Sequence, residues 1–315
     1  MAGFRLATIE QRGQERSALV VDERLFPLAD LAPERPELQG GLFALLGQWD
    51  EVWPTLQWLA ERADPRRGGS GPDARSVRLL TPIRYPRAVY TTVFNYYDFA
   101  ADVGGPRPDK SQLRPYICTK LPNCVIGPDE AIVLPHHTQR VDWGVELGVV
   151  IGRRCYGAFA RDALDYVAGY TIVNNLSARD GPRQDWPRLG YDWLLSQGFD
   201  TSAPIGPYLL PKAFVSDPHR LRLRLSRNGE LIQDGSTATM VFSIAEQIEF
   251  LSSFVTLQPG DVVATGTPAG VGWQRGVFLR PGDELVCEIE GIGTLRNPVV
   301  GPLMLAPPYG GSAYA

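Results

Sequence analysis

The stretch from Val141 to Asp180 constrains the fold more than any other part of this chain. It contains VDWGVELGVVIG and, further along, VAGYTIVNNLSARD. The strand period of two predicts that Asp142, Gly144 and Glu146 share one face of a strand, with apolar side chains on the other. A carboxylate on such a largely apolar element needs a partner, which makes this strand a candidate for a functional site.

The second half of the stretch has a different pattern. The run AFARDALDYVAGYTIVNNLSARD predicts a short amphipathic helix, then a β-branched strand, then a polar turn. Polar side chains crowd the end of that strand, namely Asn174, Asn175, Ser177, Arg179 and Asp180.

Seven segments in a fixed order are similar to one known family. They are NYYDFAADVG, YICTKLPNCVIGPDEAIVLP, VDWGVELGVVIGR, VAGYTIVNNLSARD, GFDTSAPIGPYLL, NGELIQDGSTATMVF and LQPGDVVATGTPAGVG. Together they resemble the fumarylacetoacetate hydrolase (FAH) superfamily over roughly Val89 to Pro302. The resemblance implies a strand-rich α+β fold, with an FAH-type mixed β-roll or sandwich catalytic domain and a small N-terminal α/β domain.

The chain departs from the family at the metal positions. Family members usually carry Glu-x-Glu where this chain has Gly144 and Glu146, and an Asp where it has Asn175. Those three carboxylates hold a divalent cation in the family, so Glu146 is the only retained ligand position. Mg²⁺ and Mn²⁺ prefer several charged oxygen ligands. The resemblance implies one of these ions, whereas the residues present predict no tightly bound cofactor.

Other catalytic positions are altered as well. The family's His–Glu pair, which positions water, corresponds here to Phe99 and Asp102, and a family lysine before the FDT motif corresponds to Gln197. The exchange of His for Phe99 weakens hydrolysis, because no obvious base remains to activate water. The chain therefore resembles a divergent member with depleted metal and catalytic positions.

Three residues are the predicted catalytic groups: Glu146, Lys120 and Asp102. Lys120 is one of only three lysines, against twenty-eight arginines, and stands in a strand-like run. It is interpreted as an anion or enolate clamp, with an ordinary ion pair as the alternative. Burial would raise the pKa of Glu146, and a nearby Lys120 ammonium would lower it. Whichever effect is larger, Glu146 could still act as a general acid or base. Asp102 lies on a predicted lid, or caps a short helix.

The predicted substrate pocket rests largely on the resemblance. The family's TGTP loop lines the site, where Thr267 would donate to a substrate carboxylate. Arg179 either contacts substrate or forms a structural pair with Asp180. The predicted substrate-binding residues are Tyr96, Phe99, Gly144, Asn175, Arg179, Gln197, Gln233 and Thr267.

Composition predicts a globular enzyme without nucleic-acid or membrane partners. A net charge of −4 and a pI near 5.5 argue against binding to polyanions. The first residues lack the layout of a signal peptide, and no apolar run is long enough to span a membrane, which predicts a cytoplasmic location. The spacing of the four cysteines favours free thiols.

The positions of segments rich in Pro, Gly and polar residues predict three parts in the chain. Residues 1–75 form a small N-terminal domain and linker, 76–302 the FAH-like catalytic domain, and 303–315 a C-terminal tail. The first part begins with the strands FRLATIE, SALVVD and RLFPLADL, and Gly40 to Ala63 has a helical pattern interrupted at Pro54.

These observations predict an FAH-superfamily enzyme, lyase-like or isomerase-like, that performs enol/keto chemistry on a small molecule. The substrate would be a 2-oxo acid or a β-dicarbonyl, polyketide-like compound, and the reaction isomerisation, cyclisation, dehydration or decarboxylation. A metal-dependent C–C bond hydrolase of the fumarylacetoacetate or acylpyruvate type and a non-catalytic binding protein are the alternatives. The family resemblance also implies a homodimer.

Overall fold

The structure is a computed structural model that describes residues 3–11, 13–180, 183–184 and 190–302. The predicted C-terminal tail, 303–315, lies outside the described residues. Within the described part of the chain, no helix has the length and apolar character needed to cross a membrane.

Short strands make up most of the regular structure. The first ten are β1 (Arg5–Gln11), β2 (Gln14–Val21), β3 (Arg24–Pro27), β4 (Leu79–Leu80), β5 (Val89–Val93), β6 (Tyr116–Lys120), β7 (Val125–Ile126), β8 (Ile132–Val133), β9 (Val141–Asp142) and β10 (Val145–Ile151). The remainder are β11 (Val167–Asn174), β12 (Ser177–Ala178), β13 (Arg183–Gln184), β14 (Gly190–Tyr191), β15 (Ala203–Pro211), β16 (Arg222–Arg227), β17 (Glu230–Ser236), β18 (Val262–Ala264), β19 (Glu284–Ile289) and β20 (Gly293–Val300).

Helices are fewer and mostly short. The α-helices are α1 (Leu28–Leu31), α2 (Leu42–Leu46), α3 (Trp49–Ala63), α4 (Tyr97–Asp102), α5 (Trp193–Gln197), α6 (Ile244–Phe254) and α7 (Gly272–Arg275). Single 3₁₀ turns occupy Pro36–Leu38, Pro65–Arg67, Ala74–Ser76, Lys110–Gln112, Pro122–Cys124, Ala163–Tyr166, Lys212–Phe214 and Thr237–Thr239.

The first two N-terminal strands form where the alternation predicts them, whereas the strand predicted over RLFPLADL ends at Pro27 and its second half is the helix α1. β1, β2 and β3 pair in antiparallel order, and β1 also pairs with β15 through Leu6 and Leu209. Strands from both sides of residue 75 therefore share one sheet, and the domain boundary there stays a prediction. The predicted interruption at Pro54 is wrong, because Pro54 lies inside α3. The loss of one hydrogen bond there is offset by an apolar helix face that packs on the core.

Two sheets build the catalytic part. The larger has the order β3-β2-β1-β15-β11-β10-β18-β5-β6, and the smaller has the order β17-β16-β19-β20-β8. Apolar side chains of β10 and β11 pack against those of β16, β19 and β20, while α2 and α3 cover the opposite face of the large sheet. The strand-rich α+β fold with mixed sheets is confirmed.

The long strand predicted from Val141 is in fact two strands. β9 pairs with β12, whereas β10 pairs with β11 from Val145 onward. The break follows from Asp142, whose buried carboxylate accepts hydrogen bonds from the backbone N–H groups of Trp143 and Gly272. Those contacts turn the backbone before β10 begins.

The sheet topology brings several strand ends to one place. β18 and β5 run parallel, and β10 runs antiparallel to both β18 and β11. The carboxyl ends of β5, β11 and β18 therefore lie beside the start of β10. The polar residues that follow those strands meet Glu146 there.

Candidate active site

A small cavity opens at this meeting point of strand ends. Its volume is about 40 Å³, enough for a few water molecules but less than a typical ligand occupies. The described residues that line it are Thr92, Val93, Phe94, Phe99, Trp143, Gly144, Glu146, Asn175, Ser177, Arg179, Gln197 and Thr267.

Glu146 is the only titratable carboxyl group among these lining residues. Its side chain is buried, and its carboxylate accepts hydrogen bonds from Asn175 Nδ2 at 2.9 Å and from the Gly266 N–H at 2.7 Å. Burial raises the pKa of Glu146 to about 7, although those two donors and the nearby Lys120 charge oppose the shift. Such a group exchanges protons readily near neutral pH.

Lys120 lies beside this carboxylate but does not line the cavity. Its Nζ donates to the carbonyl oxygens of Leu176 and Gln197, both at 2.7 Å, and to Ser202 Oγ at 3.3 Å. Burial lowers the pKa of Lys120 to about 7, while the negative charge of Glu146 opposes that shift. The three oxygen acceptors fit an ammonium with three donors. The charge of Lys120 therefore influences Glu146 through space, and its role as an anion or enolate clamp stays a prediction.

Arg179 reaches the cavity from a fixed position. Its Nε donates to the carboxylate of Asp142 at 3.1 Å, and its guanidinium lies 5.6 Å from the ring centre of Trp273. Asp142 is fully buried, and its carboxylate also accepts hydrogen bonds from the backbone N–H groups of Trp143, Gly272 and Trp273. Asp142 is thus the structural partner of Arg179. Asp180 instead accepts hydrogen bonds from Thr138 and the Gln139 N–H.

The lining includes three aromatic residues, Phe94, Phe99 and Trp143, here called the aromatic wall. Phe94 and Phe99 meet edge to face with centroids 5.2 Å apart. Phe94 is 51% exposed and adopts a positive φ of 57°, which is unusual for an aromatic residue. Trp143 is buried, and its Nε1 donates to the Gly270 carbonyl at 3.2 Å. The cavity lining therefore combines polar and aromatic side chains.

The TGTPAG loop is tied to β10 by side-chain hydrogen bonds. Thr267 Oγ1 donates to the Val145 carbonyl at 2.9 Å, so its proton is already used within the protein. Gln233 accepts from the Val145 N–H and donates to Thr267 and Pro268, each at 3.0 Å. Gln233 lies outside the cavity lining and holds the loop in place. The roles predicted for both residues toward substrate stay predictions.

Two more predicted residues lie outside the lining. The Asp102 carboxylate accepts a hydrogen bond from the Gly270 N–H at 2.9 Å and forms an ion pair with Arg275 at 3.4 Å. Asp102 therefore links α4 to α7 and to the loop before it. Tyr96 is fully buried, and burial, followed by the charge of Glu146, raises its pKa well above the usual value. The catalytic role of Asp102 and the substrate role of Tyr96 stay predictions.

The residues present do not fit a divalent cation. Within the described residues, no three His, Cys, Asp or Glu side chains lie close enough to share an ion. Asn175 donates its Nδ2 to Glu146 at 2.9 Å, and its neutral amide oxygen adds no negative charge to a cation site. A Cβ built at Gly144 would lie 3.1 Å from Thr267 Cβ, so a longer side chain there needs that residue to shift. One carboxylate and one amide make a poor Mg²⁺ or Mn²⁺ site.

Sequence reasoning identified much of the cavity and missed part of it. The structure brings together seven of the predicted residues, namely Phe99, Gly144, Glu146, Asn175, Arg179, Gln197 and Thr267. It adds Phe94, whose place directly before the Asn95–Tyr96 motif was the available signal. The support of Arg179 by Asp142 was also missed, since their pairing depends on a turn that strand periodicity does not predict.

Comparisons with known proteins agree with this fold and site. The model of the fumarylacetoacetate (FAA) hydrolase C-terminal family matches residues 88–300. A mitochondrial oxaloacetate tautomerase of Homo sapiens is 43% identical over 226 residues, which cover 71% of this chain and 70% of that protein.

Solved structures extend the similarity. A 5-carboxymethyl-2-hydroxymuconate delta-isomerase from Mycobacterium smegmatis is 37% identical with a TM-score of 0.62, over 74% of this chain and 84% of that one. A maleylpyruvate hydrolase from Sphingobium sp. SYK-6, in complex with manganese(II) and pyruvate, shares the fold at 24% identity, with a TM-score of 0.74 and coverage of 95% and 100%. The chain belongs to the FAH superfamily and is an isomerase-like or lyase-like enzyme of it.

Proposed function

We propose that this enzyme catalyses keto–enol tautomerisation of a 2-oxo acid or a β-dicarbonyl compound, without a tightly bound metal ion. The observation that carries the proposal is Glu146, a buried carboxyl group on the cavity wall whose pKa is raised to about 7. A group with a pKa near the working pH can both take and return a proton.

The reaction needs one such group and no co-reactant. The Glu146 carboxylate removes a proton from the carbon next to the carbonyl group. The electron pair of that C–H bond forms the C=C bond, and the carbonyl π pair moves onto oxygen. The neutral Glu146 acid then returns the proton to that oxygen, which gives the enol and restores the carboxylate. Atoms and charge balance in both directions.

Two cationic groups support the enolate and the substrate. Arg179 lines the cavity and uses its Nε for Asp142, which leaves other guanidinium N–H groups for a substrate carboxylate. Lys120 adds a positive charge close to Glu146 from its buried position. Fixed charges aimed at a developing oxyanion are a main source of rate acceleration.

The relatives support this class of reaction. The human relative is named a tautomerase, and the Mycobacterium smegmatis structure an isomerase. Hydrolysis is less well supported, because Phe99 stands where the family carries a water-positioning His. Among the described lining residues, Glu146 is left as the sole candidate base for water.

We further propose a cytoplasmic location for the enzyme. Cys118, Cys124, Cys155 and Cys287 are all free thiols, as expected in a reducing compartment. The human relative is named as mitochondrial, so a reporter fusion should be compared with both compartments. Accumulation of the fusion in mitochondria or in an oxidising compartment would contradict this proposal.

The decisive experiment follows exchange of the C3 protons of 2-oxo acids with deuterium by NMR, together with enol absorbance. The wild type should accelerate both, and Glu146→Gln should lower turnover by about 10²–10⁴-fold while ligand affinity stays nearly unchanged. Glu249→Gln is the matched control, because Glu249 lies in α6 outside the cavity lining. A wild type that binds 2-oxo acids and exchanges none of them would favour a binding protein. Full activity of Glu146→Gln would show that another residue transfers the proton.

A further inference from the structure

The described part of the cavity lining offers a substrate anion a single cationic partner. Among the described lining residues, Arg179 is the one cation, and its Nε is already paired with the buried Asp142. The Nζ donors of Lys120 go to Leu176, Gln197 and Ser202. A second substrate carboxylate placed against the buried side chains of Phe99 and Trp143 would be an unpaired charge there, which is costly.

The aromatic wall instead suits an apolar substituent. Phe99 is 5% exposed and packs edge to face against Phe94, while Trp143 is fixed by its hydrogen bond to the Gly270 carbonyl. Offset and edge-to-face contacts of this kind favour an aryl group over a charged one. Each apolar group buried there adds to the affinity.

Phe94 is the movable part of that wall. The cavity volume of about 40 Å³ is well below the roughly 150 Å³ in which a dry cavity holds benzene. A ring can therefore enter only if a lining side chain rotates away. The half-exposed side chain of Phe94 can do so, and its positive φ is the kind of backbone strain found at ligand-binding positions.

We propose that Phe94 and Phe99 form an apolar subsite, so that the enzyme selects 2-oxo acids with one carboxylate and an aryl or branched alkyl group at C3 over dicarboxylates such as oxaloacetate. This inference rests on the proposed tautomerase function and names its substrate class. The carboxylate of such a substrate contacts Arg179, and the C3 proton faces Glu146. The substituent packs on Phe99 in the space that Phe94 leaves when it rotates, and the rotated Phe94 ring covers its outer side.

The test measures kcat/KM for C3 proton exchange on phenylpyruvate, 4-methyl-2-oxopentanoate, pyruvate and oxaloacetate. The wild type should prefer phenylpyruvate to oxaloacetate, and Phe94→Asn should lower that ratio by about tenfold or more. Asparagine is chosen because it tolerates the left-handed backbone at this position. Phe99→His, which restores the family residue, should lower the ratio too. Phe254→Ala is the matched control, since Phe254 is an exposed ring of α6 outside the lining.

Two results would overturn the subsite: a wild type that prefers oxaloacetate, or a ratio that neither Phe94→Asn nor Phe99→His changes. If the wild type exchanges none of the four acids, the tautomerase proposal fails instead. The subsite is then judged by calorimetric affinities alone. Tighter binding of phenylpyruvate than of oxaloacetate, lost in Phe94→Asn, would support it, and equal affinities would reject it.

Discussion

The side-chain amide of Asn175 donates to the carboxylate of Glu146 across 2.9 Å. A neutral amide donor thus stands where members of the family usually have an aspartate. The amide holds Glu146 in one orientation but supplies no charge, so burial still raises the pKa of that carboxyl group. In the proposed function, this amide supports a proton-transfer group instead of binding a metal ion.

The first prediction concerns Lys120→Met. Loss of the ammonium leaves buried oxygens without their donor, so the free energy of unfolding should fall by about 1–3 kcal/mol. The pKa of Glu146 should rise further, because the positive charge that opposes the rise is lost. The pH–rate profile should therefore move to higher pH. Lys212→Met is the control, since Lys212 Nζ donates to the Leu164 carbonyl outside the cavity. An unmoved profile would contradict the electrostatic role of Lys120.

The second prediction concerns stability against pH. Glu146 has a folded pKa of about 7 against an ordinary value of 4.5, so the folded state holds more protons between those values. Stability should therefore decrease as pH rises through that window, by roughly 3 kcal/mol from this group. Lys120 contributes to stability in the opposite direction and at higher pH, because its pKa falls from 10.5 to about 7 on folding. Between these values the folded state holds fewer protons, so the contribution of Lys120 to stability increases as pH rises.

Urea unfolding of the wild type and Glu146→Gln at a series of pH values tests this. In Glu146→Gln the free energy of unfolding should no longer decrease between pH 4.5 and 7, whereas in Glu249→Gln it should still decrease as in the wild type. Parallel curves for the wild type and Glu146→Gln would show that Glu146 titrates normally in the folded protein.

The third prediction concerns metal. Protein purified without chelator should contain no stoichiometric Mg²⁺ or Mn²⁺ by elemental analysis, and EDTA should leave turnover unchanged. Asn175→Asp places a second carboxylate beside Glu146, so without added cation its pH–rate profile should move to higher pH. An ion at full occupancy bound by Glu146 would refute the metal-free proposal.

The fourth prediction concerns assembly. A homodimer with an isologous interface is the commonest arrangement for an enzyme of this kind. Light scattering at micromolar concentration should give about twice the mass of the 34.7 kDa chain. A concentration-independent monomer would contradict it.

The sequence predicted the fold well because strand periodicity and segment order are local signals. β1, β2 and β11 form where the alternation of side chains places them, whereas the predicted third strand is replaced by helix α1 after Pro27. The helix through Pro54 and the break before Val145 were not predicted. The first depends on the packing of the α3 face, and the second on backbone donors from Trp143 and Gly272 that converge on Asp142.

The site was predicted in part for a similar reason. Glu146 and Asn175 follow from the motif, and the structure joins them. The placement of Lys120 behind the cavity could not follow, because its three acceptors come from residues 176 to 202, far away in the chain. The positive φ of Phe94 cannot be predicted from the residue types that flank it in the sequence.

The close approach of Gly144 to Thr267 also limits how this enzyme can diverge further. A side chain at residue 144 must displace a threonine that is fixed by Val145 and Gln233. Gly144→Glu alone would then disturb the loop before it gained any ligand. A carboxylate can therefore be added beside Glu146 at residue 144 only together with a small movement of the whole TGTPAG loop, whereas Asn175→Asp adds one without that movement.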